Sequence, residues 1–276
     1  MPRRPSAATA EPRRGQVYPG HVVKRGEPDR KIVTGLQRRL GERGCPVPRI
    51  DGIFGARTQA AVRLFQARFP DHSGAPLIVD GKVGPLTWAA LFGGDSVPTV
   101  TAAPDALLGE ALGVAVREIG AREEPPGSNR GPRVDQYLRA VGLDPARGSF
   151  PWCAAFAYWC FARAADELGR PNPVIRTAGV LDHWRKAGAA GIKRLPAAEA
   201  TDDPGRVHPG MLFVLDTGGG TGHTGFVERV EGGRLVTVEG NTNDDGSREG
   251  VGVFRRAGRK IASINRGYID YAGRYR

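Results

Sequence analysis

The chain has 276 residues, 40 Lys and Arg against 29 Asp and Glu, a formal net charge of +11 and 3 Cys. That length allows a small module beside a larger core, and three cysteines do not make a disulfide framework. No apolar run approaches a membrane span, and there is no Cys-x-x-Cys or His-x-x-x-His pair, so neither membrane insertion nor a cofactor or metal site is expected.

Residues 1–16 are rich in Arg and Pro and read as a disordered basic tail. Met1 to Gly26 has no apolar segment of the secretory kind, so the chain is expected to be made in the cytoplasm without a signal peptide. From residue 17 to 93 the signals become periodic. Asp51-Gly52-Ile53-Phe54-Gly55-Ala56-Arg57-Thr58 is echoed by Asp80-Gly81-Lys82-Val83-Gly84-Pro85-Leu86-Thr87, an internal repeat in which an Asp-Gly turn leads into a helix. Pro85 suits a first helical turn. Val33, Leu36 and Leu40 form one helical stripe, Ala61, Val62, Phe65 and Phe69 a second, and Trp88, Leu91 and Phe92 a third. A three-helix core of that size suits a binding module rather than an enzyme. The repeated Asp, Gly and Thr residues read as turn and cap elements, not ligand contacts.

With Leu36-Gln37-Arg38-Arg39-Leu40 and Ala61-Val62-Arg63-Leu64-Phe65-Gln66, these elements resemble the peptidoglycan-binding domain that accompanies many cell-wall enzymes. The resemblance implies bacterial peptidoglycan as the partner. Residues 94–104 then lack periodicity and read as a linker. Residues 1–104 hold 16 Lys and Arg against 8 Asp and Glu, and residues 105–276 hold 24 against 21, so most of the basic excess is N-terminal. No zinc-finger spacing, RNP-like sequence or basic heptad helix accompanies that charge, so no nucleic acid is expected as a partner. Anionic wall polymers would attract it in a salt-dependent way.

Residues 105–276 read as helices first, over Ala106 to Ile119, Pro132 to Val141, Trp152 to Leu168 and Ala178 to Ala187. Strands follow, over Met211 to Asp216, Gly225 to Val230, Arg234 to Glu239, Val251 to Arg255 and Ile261 to Ile269, an α+β arrangement with helices packed on a mostly antiparallel sheet. Cys153 opens the apolar helix, with Ser149 read as its cap and Pro151 as part of its first turn. A thiol there faces unpaired backbone N–H groups and the positive end of the helix dipole, the setting of a nucleophilic thiolate. Cys45 and Cys160 instead read as buried, inert thiols.

His223 follows a flexible Gly and Thr run and begins a strand. The turn at Glu231-Gly232-Gly233 folds the next strand back, so Glu239 and Asn241 come near the imidazole on one face, either one able to orient it. His21, His72, His183 and His208 have no such setting. Asn241-Thr242-Asn243-Asp244-Asp245-Gly246 is similar to half of a calcium loop, but Gly252 stands where a bidentate Glu is required, so it reads as a polar turn.

Pro151-Trp152-Cys153-Ala154-Ala155-Phe156, Gly222-His223-Thr224-Gly225-Phe226-Val227 and Glu239-Gly240-Asn241-Thr242 together resemble the CHAP family of papain-like cysteine amidohydrolases and peptidases. His208-Pro209-Gly210 and the following strand extend the likeness. The resemblance implies Cys153 as nucleophile, His223 as base, Glu239 as orienter and Asn241 as a supporting polar group. It further implies a peptidoglycan hydrolase and permits N-acetylmuramoyl-L-alanine amidase or stem-peptide endopeptidase activity; the amidase is the preferred expectation, with the chain expected to be a monomer. Combined with the absent export signal, this points to an endolysin-like bacteriolytic protein released through a holin, or else a toxin delivered by a secretion apparatus. The alternatives are an inactive wall-binding protein and a cysteine protease or transferase acting on protein. A glycosidase is disfavoured because no carboxylate pair stands out.

Overall fold

A computed structural model describes residues 16–243 and 250–275, so the basic tail up to residue 15 and Asp244 to Gly246 of the polar turn lie outside the described residues. Within them the chain divides into two compact units, the first running to Pro98 apart from Gly20–Val22, which group with the second.

The first unit holds α1 (Arg30–Glu42), α2 (Ala56–Arg68) and α3 (Pro85–Phe92). Asp29 caps α1 by accepting from the backbone N–H groups of Lys31 and Ile32, and Pro85 opens α3. Val33, Leu36, Leu40, Val62, Phe65, Trp88 and Leu91 are fully buried in one core. Each of the larger side chains contributes roughly 1.5–3 kcal/mol by leaving water.

The internal repeat is reproduced bond for bond. Gln37 Nε2 donates to Asp51 Oδ1 (3.0 Å) and Thr58 Oγ1 (3.0 Å), while its Oε1 accepts from Gly52 N–H (3.0 Å). One repeat later, Gln66 Nε2 donates to Asp80 Oδ1 (3.0 Å) and Thr87 Oγ1 (3.3 Å), and its Oε1 accepts from Gly81 N–H (2.8 Å). Each buried glutamine thus ties a helix to the turn and helix start that follow it, with its amide satisfied at both ends. Gly52 and Gly81 both adopt positive φ, at 70° and 75°, which their turns require.

The second unit begins with α4 (Ala106–Arg117), capped by Asp105, followed by α5 (Pro132–Ala140), α6 (Cys153–Glu167) and α7 (Val180–Ala189). The sheet order is β1-β6-β2-β3-β4-β5, every pair antiparallel, over β1 (Lys193–Pro196), β2 (Leu212–Gly218), β3 (Thr221–Glu231), β4 (Arg234–Thr242), β5 (Gly252–Lys260) and β6 (Gly267–Asp270). A short helix, α8 (Ala197–Asp202), follows β1. No helix among the described residues is long and apolar enough to cross a membrane.

Helix α6 is buried along most of its length, and small residues at Ala154, Ala157, Ala164 and Ala165 let its neighbours approach closely. Phe156 and Phe161 pack against Phe226 of β3, and Leu212, Val214, Val238 and Ile269 complete the core between helices and sheet. Alternation along the strands sends Phe213, Val227 and Leu235 to a second apolar cluster on the other face. Glu231 pairs with Arg234, so Gly232 and Gly233 alone make the β3–β4 turn, at φ 55° and 81°, the two positive values a tight hairpin needs.

Ile261 to Ile269 is not one strand: Ile261–Ser263 is a 3-10 turn and only Gly267–Asp270 joins the sheet. Strand β1 and helix α8 had no reading of their own, because Lys193–Pro196 is short, charged and ends in Pro, and gains its pairing only from β6.

Candidate active site

Cys153 is the first residue of α6, where the backbone N–H groups have no partner within the helix. Trp152 occupies the cap position without a side-chain bond, and the first helical bond runs from Phe156 N–H to the Trp152 carbonyl (2.8 Å). Ser149 is therefore not the cap: its hydroxyl donates to the Ser128 carbonyl (3.3 Å) and accepts from Asn129 Nδ2 (3.0 Å), and Pro151 precedes the helix. The chain ahead of the helix is tied to the loop before α5 instead.

Trp152 anchors that junction. It is fully buried, its indole N–H donates to Glu123 Oε1 (2.8 Å), and Asn129 N–H donates to Glu123 Oε2 (3.1 Å). Cys153 faces a cleft of about 590 Å³ that Glu123, Asn129, Val180, Gly222 and Asn241 help to line.

His223 and Glu239 come together across the β3–β4 hairpin, His223 Nε2 lying 2.8 Å from Glu239 Oε2. Glu239 has no exposed surface, yet its carboxylate is fully engaged: Thr237 Oγ1 donates to Oε1 (2.5 Å), and Arg259 Nη2 donates to Oε1 and Oε2 (2.9 and 3.1 Å). Burial alone would raise the pKa of Glu239; the His223 hydrogen bond, the charges of His223 and Arg259 and the Thr237 hydroxyl outweigh it and bring it down to about 2. Burial likewise pulls His223 down, but the thiol of Cys153 and then Glu239 lift it to about 9. Its second nitrogen, Nδ1, is buried without a hydrogen-bond partner among the described residues. With Nε2 committed to the Glu239 carboxylate, Nδ1 is the ring nitrogen left open.

Gly225 makes this crossing feasible. A Cβ there would sit 2.8 Å from Glu239 Cγ and 2.8 Å from the Val238 carbonyl oxygen, so the side chain of Glu239 occupies the space that glycine leaves. Among the described residues no hydrogen bond joins Asn241 to His223. Asn241 adopts φ 56°, lines the Cys153 cleft, and has its buried Oδ1 unpartnered among the described residues.

The remaining cysteines and histidines have other settings. Cys45 is buried, and burial pushes the Cys160 thiol up. His183 is buried against the Tyr271 hydroxyl (2.7 Å) and lowered by burial to about 4; His208 lies 3.5 Å from Asp270, and His21 and His72 are exposed. Thr237 and Arg259 escaped the sequence reading. Thr237 is two positions before Glu239 and so shares its face, a detectable signal. Arg259 reaches Glu239 only through the β4–β5 pairing, where bulges shift the register.

Residues 145–241 match the model of the CHAP domain, and residues 29–91 match that of the putative peptidoglycan binding domain. No curated protein and no solved structure matches the chain. The chain thus carries a CHAP domain behind an N-terminal peptidoglycan-binding domain, a pairing that supports a peptidoglycan hydrolase with peptidoglycan as its partner.

Proposed function

We propose that this peptidoglycan hydrolase cuts an amide bond by thiol catalysis, with Cys153 as nucleophile, His223 as acid and base, and Glu239 as the group that orients His223. The observation that carries the reading is the buried His223–Glu239 pair, in which one imidazole nitrogen is held by the carboxylate and the other is unpartnered among the described residues; in the proposed reaction that second nitrogen serves the Cys153 thiol. In the first step the Cys153 sulfur bonds to the amide carbonyl carbon. The C–N bond then breaks as imidazolium His223 gives its proton to the departing amine. Water next loses a proton to His223, its oxygen bonds to the acyl carbon, and the Cys153 sulfur leaves. The Cys153 N–H, unpaired at the start of α6, suits the oxyanion of the tetrahedral intermediates. The free Oδ1 of Asn241 suits a substrate N–H.

We favour the bond between muramic acid and the stem peptide, making the enzyme an N-acetylmuramoyl-L-alanine amidase, over cleavage within the peptide. Incubating purified peptidoglycan with wild type and Cys153→Ala, then identifying new termini by mass spectrometry, tests both levels. Intact stem peptides freed from muramic acid by wild type alone are expected. New termini within or between peptides would make it an endopeptidase, and equal release by both proteins would remove Cys153 from the reaction.

A further inference from the structure

The cleft at Cys153 does not end at α7. Leu181, Asp182 and Gly220, which line it, also line a second, shallower depression with Trp184, Arg194 and Arg266. The guanidinium carbon of Arg194 lies 5.0 Å from the Trp184 ring centroid and that of Arg266 lies 5.8 Å from the same ring. Arg194 Nη1 also donates to the Trp184 carbonyl (3.2 Å). Glycines make this stacking feasible: a Cβ at Gly267 would stand 2.9 Å from Trp184 Cη2, and one at Gly188 would collide with the Arg194 guanidinium.

Both arginines are exposed, and neither has an ion-pair partner among the described residues, whereas Arg133, Arg185, Arg255 and Arg259 are each matched to a carboxylate. The acid common to both depressions, Asp182, is already committed to Lys186 (2.8 Å), Arg185 and Thr177 Oγ1 (2.8 Å). Two planar cations are thus held on one indole, beside the reaction cleft, with no anion to offset their repulsion. Guanidinium forks in such a position match a carboxylate better than any neutral group.

We infer that Arg194 and Arg266 form a subsite for a free carboxylate of the stem peptide, continuous with the Cys153 cleft. This rests on the hydrolase reading for the identity of the ligand. Peptide bound with its scissile carbonyl at Cys153 would run over Gly220 and present a carboxylate to the two arginines, so the subsite contributes affinity and register rather than chemistry.

The test is binding by the full-length Cys153→Ala chain to a fluorescently labelled stem tetrapeptide, with its carboxylates free or converted to carboxamides. Amidation is expected to weaken binding about tenfold, the scale of one charge-assisted contact. Adding Arg194→Gln and Arg266→Gln should abolish that difference, while Arg194→Lys with Arg266→Lys should keep part of it. Unchanged cooperative melting of the variants would show that the fold is intact. Equal binding of the two peptide forms would overturn the subsite, as would discrimination that survives both Gln substitutions. Loss of affinity for glycerol phosphate polymer alone, with peptide binding untouched, would overturn it in favour of phosphate. If the wild-type chain cuts no wall yet the Cys153→Ala chain discriminates the peptides, the hydrolase reading fails and the subsite stands.

Discussion

Arg259 Nη2 lies 2.9 and 3.1 Å from the two oxygens of Glu239, a carboxylate with no exposed surface of its own. The strand after the hairpin therefore supplies, after His223 itself, a further positive charge that keeps the Glu239 carboxyl ionised. Arg259→Gln should remove that charge and let the Glu239 carboxyl rise from about 2 toward its ordinary 4.5. The expected result is loss of activity and stability beginning at higher pH on the acid side, with about 3–5 kcal/mol less stability at neutral pH. Urea melts across the acid range read it directly, and an unchanged acid profile would assign Arg259 a packing role only.

Because His223 is lifted to about 9, the stability it contributes is fully present below its ordinary 6.5 and is lost as pH rises through about 9. The stability contributed by Glu239 is present above 4.5 and is lost as pH falls through about 2. In the proposed reaction the alkaline limb marks loss of the proton that the leaving amine needs. Glu239→Gln removes one of the charges that hold this proton, so that limb should move toward neutral pH while the maximum rate drops by about 10²–10⁴. A rate profile measured from pH 5 to about 10 in both proteins checks it; superimposable alkaline limbs would separate Glu239 from the titration.

Gly225→Ala is expected to be damaging although it neither adds nor removes a titratable group. The added methyl meets Glu239 Cγ and the Val238 carbonyl oxygen, each at 2.8 Å, so Glu239 must move away from His223 or the hairpin must open. Overpacking of this kind costs about 1–3 kcal/mol. Activity on wall should fall by more than the lost folded fraction explains, and equal losses would show that Glu239 kept its place.

In the N-terminal unit, Gln66→Leu deletes the donors to Asp80 and Thr87 and the acceptor of Gly81 N–H. Leaving these groups unpaired should lower the stability of that unit by about 1–3 kcal/mol. Differential scanning calorimetry of the full chain should show one transition shifted downward. Hydrolysis of a soluble muropeptide should be unchanged, whereas hydrolysis of intact wall should fall at temperatures where the first unit of the variant has melted; a slower soluble reaction would mean that the two units act on one another.

Much of the arrangement was written locally. Apolar periodicity set out the helical stripes of the first unit and α6 of the second, because burial of one face repeats at the helical period whatever the partner. The Asp-Gly turns and the Gly232-Gly233 hairpin were legible because only certain residues tolerate those backbone angles. Hairpin pairing was enough to bring His223 near both Glu239 and Asn241. What depended on distant chain segments was not legible. Gln37 and Gln66 sit among helix formers and reveal their part only when the turn folds back onto them. Ser149 resembled a cap by type, but Asn129 and the Ser128 carbonyl claimed its hydroxyl. The choice of Glu239 over Asn241 as the imidazole's partner, left open by strand alternation, was decided by the tertiary structure: Gly225 leaves room for one side chain, Thr237 and Arg259 hold it there, and Asn241 turns into the cleft with φ 56°.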